Sequence, residues 1–288
     1  MAEILRHPPI DVGAVVRRSY RHVAEDFPRL LLVSFGAAAL LGVAELAIAL
    51  LANLLLGHDR KPSDFSSGWG LILGIAAFGL SIFRYLLMAA IAVHWHRSIL
   101  AGERSWRYLQ IGGREIRYLL WLAVWFALFL VVVILIYSTL RYAGVEFSIT
   151  DWLALGDSTL DDRTLAIRLV ITVCAGEVLV APFYVIALVL PARAVDEKGF
   201  GFLSALSATR GNFWRIALAS LCFKPPIIAV MLLAFGASAL IGPEGGLAAR
   251  ALASIVGDAA AFVWVCLEAG FLSFVYLALH GNPVAAER

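Results

Sequence analysis

The chain has 288 residues, of which 61% are apolar and only 15% charged, and its mean hydropathy is +0.87. A water-soluble domain carries roughly a quarter charged and about half apolar residues, so this composition excludes a single globule in water and requires lipid. The 23 basic and 21 acidic residues nearly cancel, for a net charge of +2; there is no basic surplus for nucleic acid, and the distribution of charge carries the information.

Met1 to Arg29 alternates charged and apolar residues, unlike a secretory signal, in which a short basic stretch runs directly into an apolar core. Long apolar runs follow. A bilayer core of about 30 Å needs roughly 20 helical residues, and segments of that length lie near Leu30–Leu56, Trp69–Val93, Tyr118–Leu140, Leu165–Leu190, Ile216–Ile241 and Ala251–Leu279. Their continuous apolarity predicts helices rather than the alternating strands of a barrel. The expected fold is therefore all-α, a polytopic transmembrane helical bundle of six spans. The last run is overlong, which predicts tilt or emergence into water.

Lys and Arg set the expected orientation. One side collects Arg6, Arg17, Arg18, Arg21 and Arg29 before the first span, then Arg97, Arg104, Arg107, Arg114 and Arg117 after the second. The same side holds Arg193, Lys198, Arg210 and Arg215 after the fourth, and Arg288 at the end. The opposite side has only Arg60, Lys61, Arg141, Arg163 and Arg250. By the positive-inside rule both termini are expected in the cytoplasm. Trp69, Trp95, Trp152 and Trp214 fall near span ends, where indoles favour the interface.

Before the first span, Val12, Val15, Val16, Tyr20, Val23 and Phe27 recur at helical spacing, with Arg17, Arg18, Arg21 and Glu25 on the other face. This predicts an amphipathic helix flat on the cytoplasmic leaflet, its arginines toward anionic headgroups. Phe202, Leu206, Thr209 and Phe213 repeat the pattern before the fifth span. The junctions correspond as well: Asp26-Phe27-Pro28-Arg29-Leu30 parallels Asn212-Phe213-Trp214-Arg215-Ile216, and Ser34 falls opposite Ser220. The two junctions are 186 residues apart, and half of that offset points to Arg114–Tyr118, where Trp106, Leu109, Ile111 and Ile116 form a looser version. The expectation is one membrane domain of three units, near 1–95, 96–192 and 193–288, each an interfacial helix followed by a transmembrane hairpin. Independent enrichment of arginine and aromatics beside membranes is the plainer alternative.

Ionisable groups deep in lipid cost at least ~2.5–3.5 kcal/mol each and require a partner or a purpose. Glu45, Arg84, Glu177, Lys224 and Glu268 fall within expected spans, with Asp258 nearer the outer end of the sixth. Similar depth on adjacent spans suggests a Glu45–Arg84 pair, and Lys224 facing Glu268 or Glu177. Two readings are open: pairing that only fixes helix packing, or a polar cavity on an ion path. Lys224-Pro225-Pro226 interrupts the fifth span, since proline lacks the helical donor; a kink is the expectation, a broken substrate-binding helix the alternative. Arg17, Arg18, Arg21, Arg29, Arg210 and Arg215 are the candidate membrane-surface cations.

Other motifs point to no chemistry. The imidazoles of His94 and His96 lie two residues apart and so diverge on a helix; with Trp95 and Arg97 they read as headgroup anchors, not metal ligands. Asp157, Asp161 and Asp162 read as the start of the fourth span, because acids favour helix N-termini. Gly70 and Gly74 form one GxxxG, a weak signal for close helix approach. Cys174, Cys222 and Cys266 lie in apolar runs without CxxC spacing, which reads as small buried hydrophobes rather than a disulfide or zinc framework. There is no GxxxxGK[ST], HExxH or GxSxG, so no enzyme activity, cofactor or metal is expected.

The run His96-Arg97-Ser98-Ile99-Leu100-Ala101-Gly102-Glu103 and the junction Thr209-Arg210-Gly211-Asn212-Phe213-Trp214-Arg215, set in this layout, resemble the membrane domain of some bacterial glycerophosphodiester phosphodiesterases and six-span bacterial inner-membrane proteins related to it. The resemblance would span nearly the whole chain. The phosphodiesterase barrel itself is absent, so its activity is not carried over; what the resemblance implies is a bacterial inner-membrane protein of unknown function. The functional expectation is a non-enzymatic scaffold or accessory component acting through anionic lipid, a membrane-protein partner or a second copy. The alternative is a small transporter or ion-coupled carrier using Glu45, Arg84, Glu177 and Glu268.

Overall fold

The computed structural model describes residues 9–56, 68–103, 110–142, 180, 182–226, 228–229, 233 and 246–280. Among these the chain is helical throughout, without strands: α1 Val12–Glu25, α2 Phe27–Leu56, α3 Gly68–Leu100, α4 Gly113–Tyr142, α5 Val189–Ala194, α6 Phe202–Ala208, α7 Phe213–Phe223 and α8 Leu247–His280. Four stretches are long and apolar enough to cross a membrane: Phe27–Ala52, Leu71–Leu100, Gly113–Thr139 and Ala251–His280. They correspond to the first, second, third and sixth expected spans. The fourth lies mostly outside the described residues, as does the far part of the fifth.

Local chemistry starts these helices where they start. Asp11 caps α1 by accepting from the Ala14 amide at 2.9 Å, satisfying a donor the first turn leaves open. The chain turns at Asp26 with no linker: its amide donates to the His22 carbonyl, and its own carbonyl accepts from Leu30 in α2. Glu115, third residue of α4, reaches back to the Gly112 amide at 2.9 Å, the returning half of a capping box.

α8 is the spine of the bundle. It packs against α2, α3 and α1, and Ala259, Phe262, Cys266, Phe271 and Tyr276 are fully or almost fully buried along it. Its 34 residues span about 51 Å at 1.5 Å per residue, longer than a bilayer core needs. Gly42 sets the crossing of α2 on α8: a Cβ there would lie 2.3 Å from Ile255 Cγ1, so only glycine admits the approach. Gly74, by contrast, faces open space and brings no helix close. α4 lies on the outside of the bundle, with Leu120, Phe126 and Leu130 exposed. In lipid that is a solvated face rather than a liability.

The apolar face of α1 packs on protein: Val15 and Ser19 are buried, and Val12, Val16, Tyr20 and Val23 lie against the core, while Arg17, Arg18, Arg21 and Glu25 stay exposed. Two sequence expectations change here. Trp95 and His96 are fully buried instead of anchoring headgroups; the indole sits under Gly270, where any Cβ would approach its Nε1 to 3.2 Å. Trp214 is exposed as expected, at 69%, whereas the Trp69 and Trp152 side chains fall outside the described residues. Cys266 is buried but Cys222 is exposed, on the outer face of α7; Cys174 is not among the described residues.

Candidate functional site: an ionic cluster on the central helix

The structure brings three of the candidate charges together. Arg84 Nη2 of α3 donates to Glu45 Oε1 of α2 at 2.5 Å and to Asp258 Oδ2 of α8 at 3.1 Å. Ser254, one turn before Asp258, donates to Glu45 Oε2. A single guanidinium therefore ties three spans. The side chains of Arg84 and Glu45 remain 32% and 29% exposed, because they border a cavity of about 290 Å³ completed by Ile48, Ala49, Ala77, Leu80 and Ser81.

Lys224 and Glu268 form a second level. Lys224 Nζ lies 3.6 Å from Glu268 Oε1 and over the rings of Tyr184 at 5.1 Å and Trp264 at 5.8 Å, so the ammonium is held by a carboxylate and two aromatic faces. The ten residues from Asp258 to Glu268 put the two levels about 15 Å apart on α8. Glu177 lies outside the described residues. The double proline interrupts the helix, α7 ending at Phe223 with Lys224 as its cap, and helical bonding resumes beyond it, the Ile228 amide donating to the Lys224 carbonyl at 2.9 Å. Next to it the Phe223 carbonyl accepts from the Tyr20 hydroxyl of α1, and burial pushes the Tyr20 phenol above its ordinary value.

A third group was not foreseen from the sequence. His96 is fully buried between Ser273 Oγ, 2.7 Å from Nδ1, and the Tyr118 hydroxyl, 3.0 Å from Nε2. Ser273 gives its own proton to the Ala269 carbonyl at 2.8 Å, so it can only accept from the ring. Nδ1 therefore carries the hydrogen and Nε2 accepts from Tyr118, joining α3, α4 and α8. His94 points elsewhere, into a polar pocket of about 360 Å³ with Gln110, Arg114 and Arg117. Among the described residues no group of His, Cys, Asp and Glu could hold a metal ion.

At the end of the bundle where α3 stops and α4 starts, Asp196 is a hub. Arg114 donates to its carboxylate through Nε at 2.8 Å and Nη2 at 2.5 Å, Arg117 at 3.3 Å, and Arg97 lies 4.0 Å away. The hydrogen bond from Arg114 and the charges of Arg114, Arg117 and Arg97 hold this carboxyl below its ordinary value. Asp196 occupies the left-handed position that closes α5, at φ 61°: its amide bonds the Arg193 carbonyl and the Glu197 amide the Ala192 carbonyl, a Schellman ending usually given to glycine. Glu197, next in the turn, accepts from Tyr276 and lies 3.8 Å from His280. At the same end Asn212 Oδ1 accepts from the Ile10 amide at 2.9 Å, and Arg215 donates to the Ile10 carbonyl at 3.2 Å. Arg17, Arg18, Arg21, Arg210 and Arg215 are exposed, whereas Arg29 is largely buried, 3.9 Å from Asp26.

Sequence reasoning missed Ser254, Asp196 and the His96 trio. Ser254 had a signal, since it lies four residues before Asp258 and hence on the same face of α8; the other two depend on elements far apart in the chain. No protein family, curated protein or solved structure matches the chain.

Proposed function

We propose that the chain is a non-enzymatic scaffold or accessory component of a bacterial inner membrane, with six spans and both termini in the cytoplasm. The observation that carries this reading is the pairing of the described intramembrane charges at two separate levels of α8, Glu45–Arg84–Asp258 and Lys224–Glu268, instead of around one shared chamber. Charges satisfied in this way lock helices together. The working surface is then the arginine-rich end, where exposed Arg17, Arg18, Arg21, Arg210 and Arg215 suit the anionic cytoplasmic leaflet or an acidic partner. Burial along the two parallel junctions supports a duplicated unit: Leu30, Val33, Ser34 and Ala37 are buried in α2, as are Ile216, Ala219, Ser220 and Phe223 at the same offset in α7.

The cavity beside Glu45 and Arg84 favours a second reading, a small ion-coupled carrier. Single cysteines at Ala49 and Ala77, both lining that cavity, decide between them in a background lacking Cys174, Cys222 and Cys266. A membrane-impermeant thiol reagent is applied from each side, with cysteines beside Arg18 and Arg210 as surface reporters. The scaffold reading expects labelling only of the reporters, and only from the cytoplasm. Reaction at Ala49 or Ala77 overturns it in favour of the carrier.

A further inference from the structure

An apolar groove of about 380 Å³ runs along the side of the bundle between the α1–α2 junction, the proline end of α7 and α8. Tyr20, Phe27, Phe35, Pro226, Val256 and Leu267 are among its walls. From Leu267 to Val256 is eleven residues of α8, about 16 Å, the extent of about a dozen methylenes in an extended chain. Its walls are fixed: the Tyr20 hydroxyl is tied to the Phe223 carbonyl and its ring packs 5.2 Å from that of Phe223. The groove borders two of the membrane-crossing helices, so its surroundings are lipid tails.

The rim supplies a charge. Around α1 the core-facing residues give way to Tyr20 at the groove edge, then to Arg17 about 60° further and Arg21 about 100° further, at 100° per residue. Both arginines are exposed, and among the described residues neither forms an ion pair. We propose that this groove seats one acyl chain of a single anionic phospholipid, whose phosphate is held by Arg17 and Arg21. The inference rests on the reading above that this end of the bundle faces an anionic leaflet, and it narrows that reading to one lipid at one place. Because a tail gains no hydrophobic energy by leaving other tails, the rigid walls set residence and the arginines set headgroup choice, by roughly 10- to 30-fold for two juxtaposed cations.

The test is native mass spectrometry of the full chain, released from micelles holding equimolar phosphatidylglycerol and phosphatidylcholine of distinct mass. The expected result is one retained phosphatidylglycerol, in roughly tenfold or greater excess over phosphatidylcholine. Arg17→Gln with Arg21→Gln, both on the exposed face and harmless to the core, keeps one lipid but loses the preference. Ala260→Phe or Leu31→Phe, which fill the groove from opposite walls, lose the retained lipid. Equal retention of the two lipids by the unaltered chain overturns the proposal, as does an unchanged lipid in the filled variants or a lipid-free dimer. The orientation reading fails separately, if the cysteine beside Arg18 labels from the periplasmic side, because lipid retention in micelles does not depend on orientation.

Discussion

Arg84→Met tests the ionic cluster most directly. The substitution keeps an unbranched apolar stem of similar reach and removes the one cation between Glu45 and Asp258, leaving two carboxylates against each other. Removing one partner from a fully buried pair costs about 3–5 kcal/mol, and an unpaired charge in lipid about 2.5–3.5 kcal/mol. Here the side chains of Glu45 and Asp258 are 29% and 10% exposed, so a loss of about 2–3 kcal/mol is expected. At about 2–4 °C per kcal/mol for a chain of this size, the apparent Tm in detergent drops by roughly 4–12 °C. Adding Glu45→Gln and Asp258→Asn removes both stranded charges and still offers Ser254 an acceptor, so the triple variant recovers most of the loss. The comparison uses one detergent and one heating rate, because unfolding of such a chain is read as a rate-dependent midpoint. An unchanged Tm in Arg84→Met, or a triple variant no better than the single, would refute the pairing.

Gly42→Ala forces Ile255 out of a position 2.3 Å from the new Cβ and is expected to cost about 1–3 kcal/mol; Ile255→Ala in the same chain should return part of it, read as a Tm difference. His96→Leu strands the buried Tyr118 hydroxyl at about 1–3 kcal/mol, and adding Tyr118→Phe should cost less than His96→Leu alone. For Asp196 the sign follows from its lowered carboxyl: the contribution is complete above the ordinary value of 3.8 and is lost as pH falls through the lower folded value. Asp196→Asn keeps a residue tolerated at positive φ and, with Asp196 37% exposed, should cost under about 1 kcal/mol at neutral pH. Thermal melts from pH 7 down to pH 3 should show that deficit shrinking; a deficit that widens with acid contradicts the assignment.

Four of the expected spans were legible because an apolar run of about 20 residues is a local signal. The Glu45–Arg84 contact was legible too, since charges in lipid have few places to go and depth along adjacent spans restricts them further. What the chain order hides is azimuth. Asp258 joins Arg84 instead of Lys224 because α8 runs against α2 and α3 at that level, and no periodicity reveals which helices adjoin. Trp95 and His96 illustrate the same limit. Their position at a span end favours an interface, but Gly270 and Ser273 of α8, both within the expected sixth span, lie against them. Gly42 was passed over for Gly74 because a motif was sought; a single glycine suffices where Ile255 needs the space.

Hydrocarbon gives helices no solvent-driven reason to prefer one neighbour or register over another. On α8 the polar groups are spaced along the helix: Ser254 meets Glu45 of α2, Asp258 meets Arg84 of α3, Glu268 meets the end of α7, Ser273 meets α3 through His96, and Tyr276 meets the turn after α5. Each contact can be made in only one register, whereas apolar surfaces slide. This separates specificity from stability and yields a further expectation. A chain carrying the triple substitution at Arg84, Glu45 and Asp258 together with Lys224→Met and Glu268→Gln should insert and remain as helical by far-UV circular dichroism. With both ionic levels gone, its near-UV signal from Trp264 and Tyr184, which Lys224 bridges, should weaken, and its thermal transition should broaden. If the charge-free chain keeps the near-UV spectrum and a sharp transition, apolar packing alone sets the register, and the buried charges need another purpose, that of the carrier.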